Sequence, residues 1–122
     1  MFPISPKEAG EIGKRIAQEM IGITLHLHGP DGEKDGKFYE IKTRVMGRTG
    51  RKSKSLSSYR LMGLKDNFDF LVIVALNEEG KLLKLVLVER SIIKDLKNAR
   101  LSLINNNRAD LKFQAKDWDD YF

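Results

Sequence analysis

The sequence contains no cysteine. Disulfides, thiolate metal sites and cysteine nucleophiles are therefore excluded, while the redox compartment is left open. Histidine occurs only as His26 and His28. They could share a strand face, but two imidazoles without a third ligand at useful spacing make a poor transition-metal site, and a structural or surface role is expected. No apolar run approaches the roughly 20 residues that cross a bilayer, and the first residues lack the basic-then-apolar pattern of a secretory signal. A soluble, cytoplasmic protein with no membrane partner is expected. No internal repeat, linker or low-complexity tract interrupts the chain, and no Ser-His-Asp order or glycine-rich dinucleotide fingerprint occurs. With 122 residues, 41% of them hydrophobic, the chain has the length of one globular domain, and two independent cores would each be too small to be stable.

One stretch lacks charge of one sign. From Lys42 through Lys65 there is no Asp or Glu, yet the segment holds Lys42, Arg44, Arg48, Arg51, Lys52, Lys54, Arg60 and Lys65. The rest of the chain has 14 basic and 17 acidic residues, a net of −3 within a total of +5. A contiguous positive segment on a mildly acidic protein is the asymmetry expected of a phosphate-facing surface. Its GRTGRKS stretch lacks the four-residue gap of a P-loop, so nucleotide binding there is rejected.

Ser5, Pro6 and Glu8 have the spacing of an N-cap, a first-turn proline and the partner of a capping box, and Ala9, Ile12, Ile16 and Met20 recur at helical period. A helix over about Pro6 to Met20 is predicted. Ile23 to His28 alternates as a strand, Pro30 to Gly36 is a polar turn, and Lys37 to Val45 alternates again, giving a strand-loop-strand hairpin. Gly47 to Lys54 is predicted as an exposed loop, and Ser55 to Leu64 as a short helix carrying Leu56, Tyr59 and Leu61. Phe68 to Leu76 is a near-continuous apolar run suited to a central strand covered on both faces. A second apolar strand follows over Lys81 to Val88, then a short helix over Ser91 to Lys97. The end of the chain, with Trp118, Tyr121 and Phe122, is expected to be a helical tail. The order fits a small mixed α/β sheet flanked by helices.

Along Lys37 to Val45, alternation sends Glu40, Lys42 and Arg44 to one face and Tyr39, Ile41, Thr43 and Val45 to the other. The hairpin can bring Asp31 back beside Glu40. Two carboxylates and the main-chain carbonyl of Ile41 would supply hard oxygen ligands for Mg2+ or Mn2+, with Lys42 beside the attacking water. Asp35 is a second candidate aspartate, closer in sequence to Glu40. For either aspartate the competing role is a turn residue bonded to local backbone.

Pro30-Asp31, eight residues and then Glu40-Ile41-Lys42 resembles the motif of the PD-(D/E)xK nucleases. The order of elements also resembles their core of helix, three-strand meander, helix and further strand. The short members it is most similar to are Holliday-junction resolvases and small homing-type nucleases. The resemblance implies a restriction-endonuclease-like fold, a metal-dependent DNA endonuclease with structure-directed or nicking activity, and a homodimer. It also implies a glutamate from the first helix. Glu8 is a candidate that doubles as a capping residue, and the family's Gly-x-x-x-Glu spacing laid on Gly10 falls on Lys14. Arg44, Arg48, Arg51, Lys52, Lys54 and Arg60 are the DNA-backbone candidates. Two other classes remain: a basic nucleic-acid-binding or assembly module without catalysis, and a scaffold subunit that docks through an apolar C-terminal patch.

Overall fold

Ser5 stands before Pro6 and three residues ahead of Glu8, and the two side chains cap the start of a helix reciprocally. The Ser5 hydroxyl accepts the Glu8 N–H at 3.1 Å, and the Glu8 carboxylate accepts the Ser5 N–H at 3.3 Å. The helix, α1, runs Pro6–Ile21 and ends on Gly22 in the left-handed region at φ +87°, where glycine carries no Cβ penalty. These observations come from a computed structural model, which describes residues 4–47, 58–61, 64–93, 99–102 and 109–121.

After α1 come strands β1 (Thr24–Leu25), β2 (Gly32–Lys34), β3 (Lys37–Met46), β4 (Ser58–Leu61), β5 (Phe70–Asn77), β6 (Leu82–Glu89), β7 (Ala99–Ser102) and β8 (Asp110–Gln114). Six of them form one mixed sheet in the order β1-β2-β3-β5-β6-β8, while β4 and β7 form a separate antiparallel pair. Within the six-stranded sheet β3 and β5 run parallel, and every other neighbouring pair is antiparallel. The apolar run predicted as a central strand is β5, in the middle of the sheet, with Leu71 through Leu76 buried. Such a strand is apolar throughout because both of its faces are covered.

One face carries α1, packed over Ile23, Tyr39, Ile41, Val72, Val74, Leu76 and Leu85. Gly13 allows this approach, since a Cβ there would run into the Thr43 hydroxyl on β3. The other face buries Leu71, Ile73, Ala75, Leu83, Val86 and Val88 beneath Leu64, Phe68, Ile93, Trp118 and Tyr121. Trp118 and Tyr121 thus cover their own core; Phe122 lies outside the described residues. No helix among the described residues is long and apolar enough to cross a membrane.

The structure corrects several expectations. The sheet, expected to be flanked by helices, is flanked by one α-helix among the described residues. Ser58–Leu61, predicted as part of a helix over Ser55 to Leu64, is strand β4, because pairing with β7 supplies its hydrogen bonds; the two-residue spacing of Tyr59 and Leu61 is the period of a strand and not of a helix. The helix predicted over Ser91 to Lys97 is a single 3-10 turn, Arg90–Ile92, after which Ile93 is extended at φ −87°; residues 94–98 lie outside the described residues. The expected helical tail consists of the edge strand β8 and a 3-10 turn, Trp118–Tyr121. The predicted hairpin is a three-strand meander, since the polar stretch Pro30 to Gly36 contains β2. Strand β1 is shorter than Ile23 to His28, and both histidines lie beyond its end.

Candidate active site

β2 and β3 are joined by Asp35 and Gly36, both at positive φ, +52° and +77°. This is the two-residue turn that Asp-Gly favours, because its twist matches that of the flanking strands. It sets the register Lys34↔Lys37, Glu33↔Phe38 and Gly32↔Tyr39. Continued by two residues, the register would place Pro30 opposite Ile41. Proline has no N–H to donate, so pairing stops here, and the Asp31 side chain takes over. Its Oδ2 accepts the Ile41 N–H at 2.7 Å. An extended residue points its N–H and C=O to the same edge of the strand, so the Ile41 carbonyl faces the same gap. Asp31 therefore bonds a distant strand rather than its own turn.

Glu40 is the residue beside that gap. Asp31 and Glu40 are hydrogen-bonded through their side chains. Partial burial, the hydrogen bond and the Asp31 charge push the Glu40 carboxyl up to about 7, against the opposing pull of Lys42 and Lys14. Burial also acts to raise Asp31. It is outweighed by the bonds from Glu40 and the Ile41 N–H and by the Lys14 ammonium, so Asp31 lies below the usual carboxylate range. The pair divides as two interacting acids do: below about pH 7 Glu40 retains its proton while Asp31 stays ionised.

The structure thus brings together Asp31, Glu40 and the Ile41 backbone, with Lys42 close enough to Glu40 to act on its charge. Lys42 and Arg44 are half-buried on β3, and register aligns them with Ile73 and Ala75 of β5. Asp35 is exposed at the tip of the hairpin, at the opposite end of β2 from Asp31. Glu8 is occupied in the capping box at the start of α1. Arg48, Arg51, Lys52 and Lys54 lie outside the described residues, and for Arg60 only its place in β4 is described. His26 contacts Glu33 at 3.2 Å and the edge of the Phe38 ring, while His28 is exposed, so the two do not form a ligand pair.

Two cations were not foreseen as structural partners. Lys14 extends from α1 to Asp31, Nζ to Oδ1 3.5 Å. The sequence located Lys14 only as the residue standing where a helix glutamate would be. Lys84, on β6, is buried, with its ammonium 4.8 Å from the centre of the Trp118 ring. Burial lowers its pKa, and Asp119 opposes the shift. Its one signal in the sequence was a lysine interrupting an apolar strand.

Among the described residues no three Asp, Glu or His side chains converge as a metal cage. Any divalent ion here would rest on two carboxylates and a main-chain carbonyl, a hard-oxygen set that suits Mg2+ or Mn2+ completed by water. A polar hollow of about 380 Å³ at the other end of β3 is lined by Met46, Asn77, Glu78, Glu79, Lys81, Asp117 and Tyr121; it does not include the carboxylate pair. No protein-family model matches the sequence, and no curated protein matches it significantly.

Proposed function

We propose that the protein is a metal-dependent endonuclease that hydrolyses DNA phosphodiesters at the Asp31–Glu40 gap. The observation carrying this reading is the meeting of Asp31 with Glu40 and the Ile41 backbone where Pro30 ends the β2–β3 ladder, with Lys42 one alternation further along β3. A β-ladder has no structural need for two acids in contact. Holding them together raises the Glu40 carboxyl to about 7, and residues so perturbed are concentrated at functional sites.

In this reading Asp31, Glu40 and the Ile41 carbonyl hold one Mg2+ or Mn2+, which would lower the pKa of bound water and neutralise charge on the phosphate. Asp31 is fixed by the Ile41 N–H, so one of its oxygens is oriented before a ligand arrives. Glu40 would have to be ionised to serve as a ligand, since a carboxylate binds a cation only in its charged form. Lys42 orients the attacking water and stabilises charge on the phosphorane, and Arg44, with the basic segment that follows, holds the DNA backbone. The sequence resemblance to the PD-(D/E)xK nucleases supports the same roles. So does the order of α1, the β1-β2-β3 meander and then β5. The described part of the span between β3 and β5 departs from that core in containing a strand, β4, where the core has a helix. A homodimer and a structure-directed or nicking substrate preference belong to the proposal on the same basis.

The test is cleavage of supercoiled plasmid and of branched DNA by the wild type and Lys42→Ala, each with Mg2+, Mn2+ or chelator. Metal-dependent cutting that is lost in the variant, with DNA binding retained, is the expected result. Binding without cutting under every condition would assign the protein to the non-catalytic nucleic-acid-binding class instead.

A further inference from the structure

Asp31 presents two oxygens, and both are engaged. Oδ2 accepts the Ile41 N–H at 2.7 Å, and Oδ1 lies 3.5 Å from the Lys14 ammonium. A divalent ion approaching Asp31 therefore meets a resident cation at the oxygen that the backbone leaves open. The position of Lys14 is set by the fold: α1 lies close on β3 because Gly13 has no side chain to meet Thr43, and Lys14 is the next residue. Its side chain is 45% exposed against 18% for Asp31, so the ammonium has solvent to swing into while the carboxylate does not.

We propose that Lys14 is a built-in competitor for the metal: it neutralises Asp31 in the metal-free protein, must be displaced when a divalent cation binds, and restricts the site to one such ion. This deepens the nuclease reading and rests on it. A third carboxylate at residue 14 would add a ligand and remove the repulsion; the lysine does the reverse. Two divalent ions side by side would require further anionic ligands, and the third group at this gap is a cation. Once displaced, the ammonium is beside the bound ion and free to meet a phosphate oxygen, so the charge that opposes metal entry becomes available to the substrate.

The experiment is calorimetric titration of Mn2+ into the full chain without DNA, at fixed pH and ionic strength, for wild type, Lys14→Met and Lys14→Glu. Circular dichroism and melting curves establish that each variant is folded. Lys14→Met keeps the apolar stem and removes the charge, and is expected to bind Mn2+ about fivefold more tightly, the scale of a partly exposed ion pair. Lys14→Glu is expected to tighten binding by on the order of tenfold or more, and the wild type to bind one ion per chain. Equal affinities in all three proteins overturn the role of Lys14 and leave the carboxylate pair as a metal site. Weaker binding by Lys14→Met overturns it as well, since Lys14 would then support the site. No binding by any of the three folded proteins overturns the metal-centred reading itself, and the competition with it.

Discussion

Replacing Glu40 by Gln should stabilise the protein at alkaline pH while destroying the proposed site. Glu40 titrates at about 7 in the folded chain against 4.5 ordinarily. Between those values the folded state binds more protons than the unfolded state, so this group makes stability fall as pH rises through the window. The cost is absent below about 4.5 and complete above about 7. At about 1.36 kcal/mol per pKa unit the full shift corresponds to roughly 3 kcal/mol. Two corrections reduce it: about half of the group's environment is solvent, which screens the interaction, and the downward shift of Asp31 returns part of the energy. A net cost of about 1 kcal/mol at pH 8 remains. Glutamine keeps the shape, carries no charge and can donate an N–H to Asp31. Glu40→Gln should therefore be more stable than wild type by about 1 kcal/mol at pH 8, a rise in melting temperature of about 3 °C for a chain of this size, and equal to it within a few tenths at pH 5. Urea unfolding in the presence of chelator, followed by the fluorescence of buried Trp118, measures the difference at each pH. A variant no more stable than wild type at pH 8, or a gain that does not change with pH, would refute the coupled pair.

Three further outcomes follow from the packing. Gly13→Ala should lose about 1–3 kcal/mol from overpacking against Thr43, exceeding the helix-propensity gain of about 1 kcal/mol; adding Thr43→Ala should recover part of the loss in urea midpoint. Trp118→Ala should cost about 3–5 kcal/mol, read from thermal unfolding, because the ring closes the core on the face opposite α1; near-neutrality would mean that the C-terminal turn is not part of the core. Asp35→Asn should leave cleavage, Mn2+ affinity and stability unchanged, since Asn tolerates positive φ and the turn is remote from Asp31; lost activity in that variant would move the metal site to the hairpin tip.

What the sequence disclosed, and what it concealed, follows the range of the interactions involved. Helix α1 was legible because its capping box, its first-turn proline and its apolar spacing are local, and they agree. Strand β5 was legible because burial on both faces leaves an apolar run that few other elements produce. Strand β2 was hidden: Gly32, Glu33 and Lys34 have little strand propensity of their own, and only pairing with β3 makes them a strand. Strand β4 was hidden for the same reason, its partner β7 being far along the chain, and the three-residue spacing of Leu56 and Tyr59 suggested a helix. In the site, alternation placed Glu40 and Lys42 on one face, and the hairpin brought Asp31 back beside Glu40. The bond from the Ile41 N–H to Asp31 and the reach of Lys14 depend on register and on how closely α1 packs. Neither is encoded in any short stretch of sequence.

The central claim is that Asp31 and Glu40 together make a metal-dependent catalytic site, and the most direct test is cleavage of end-labelled DNA by wild type, Asp31→Asn and Glu40→Gln over a Mg2+ titration, with DNA binding measured alongside. The account predicts cutting by the wild type that requires the metal, and loss of cutting in both variants with DNA affinity preserved. Undiminished cutting by either variant, or DNA binding without cutting by the wild type at every Mg2+ concentration, would contradict it.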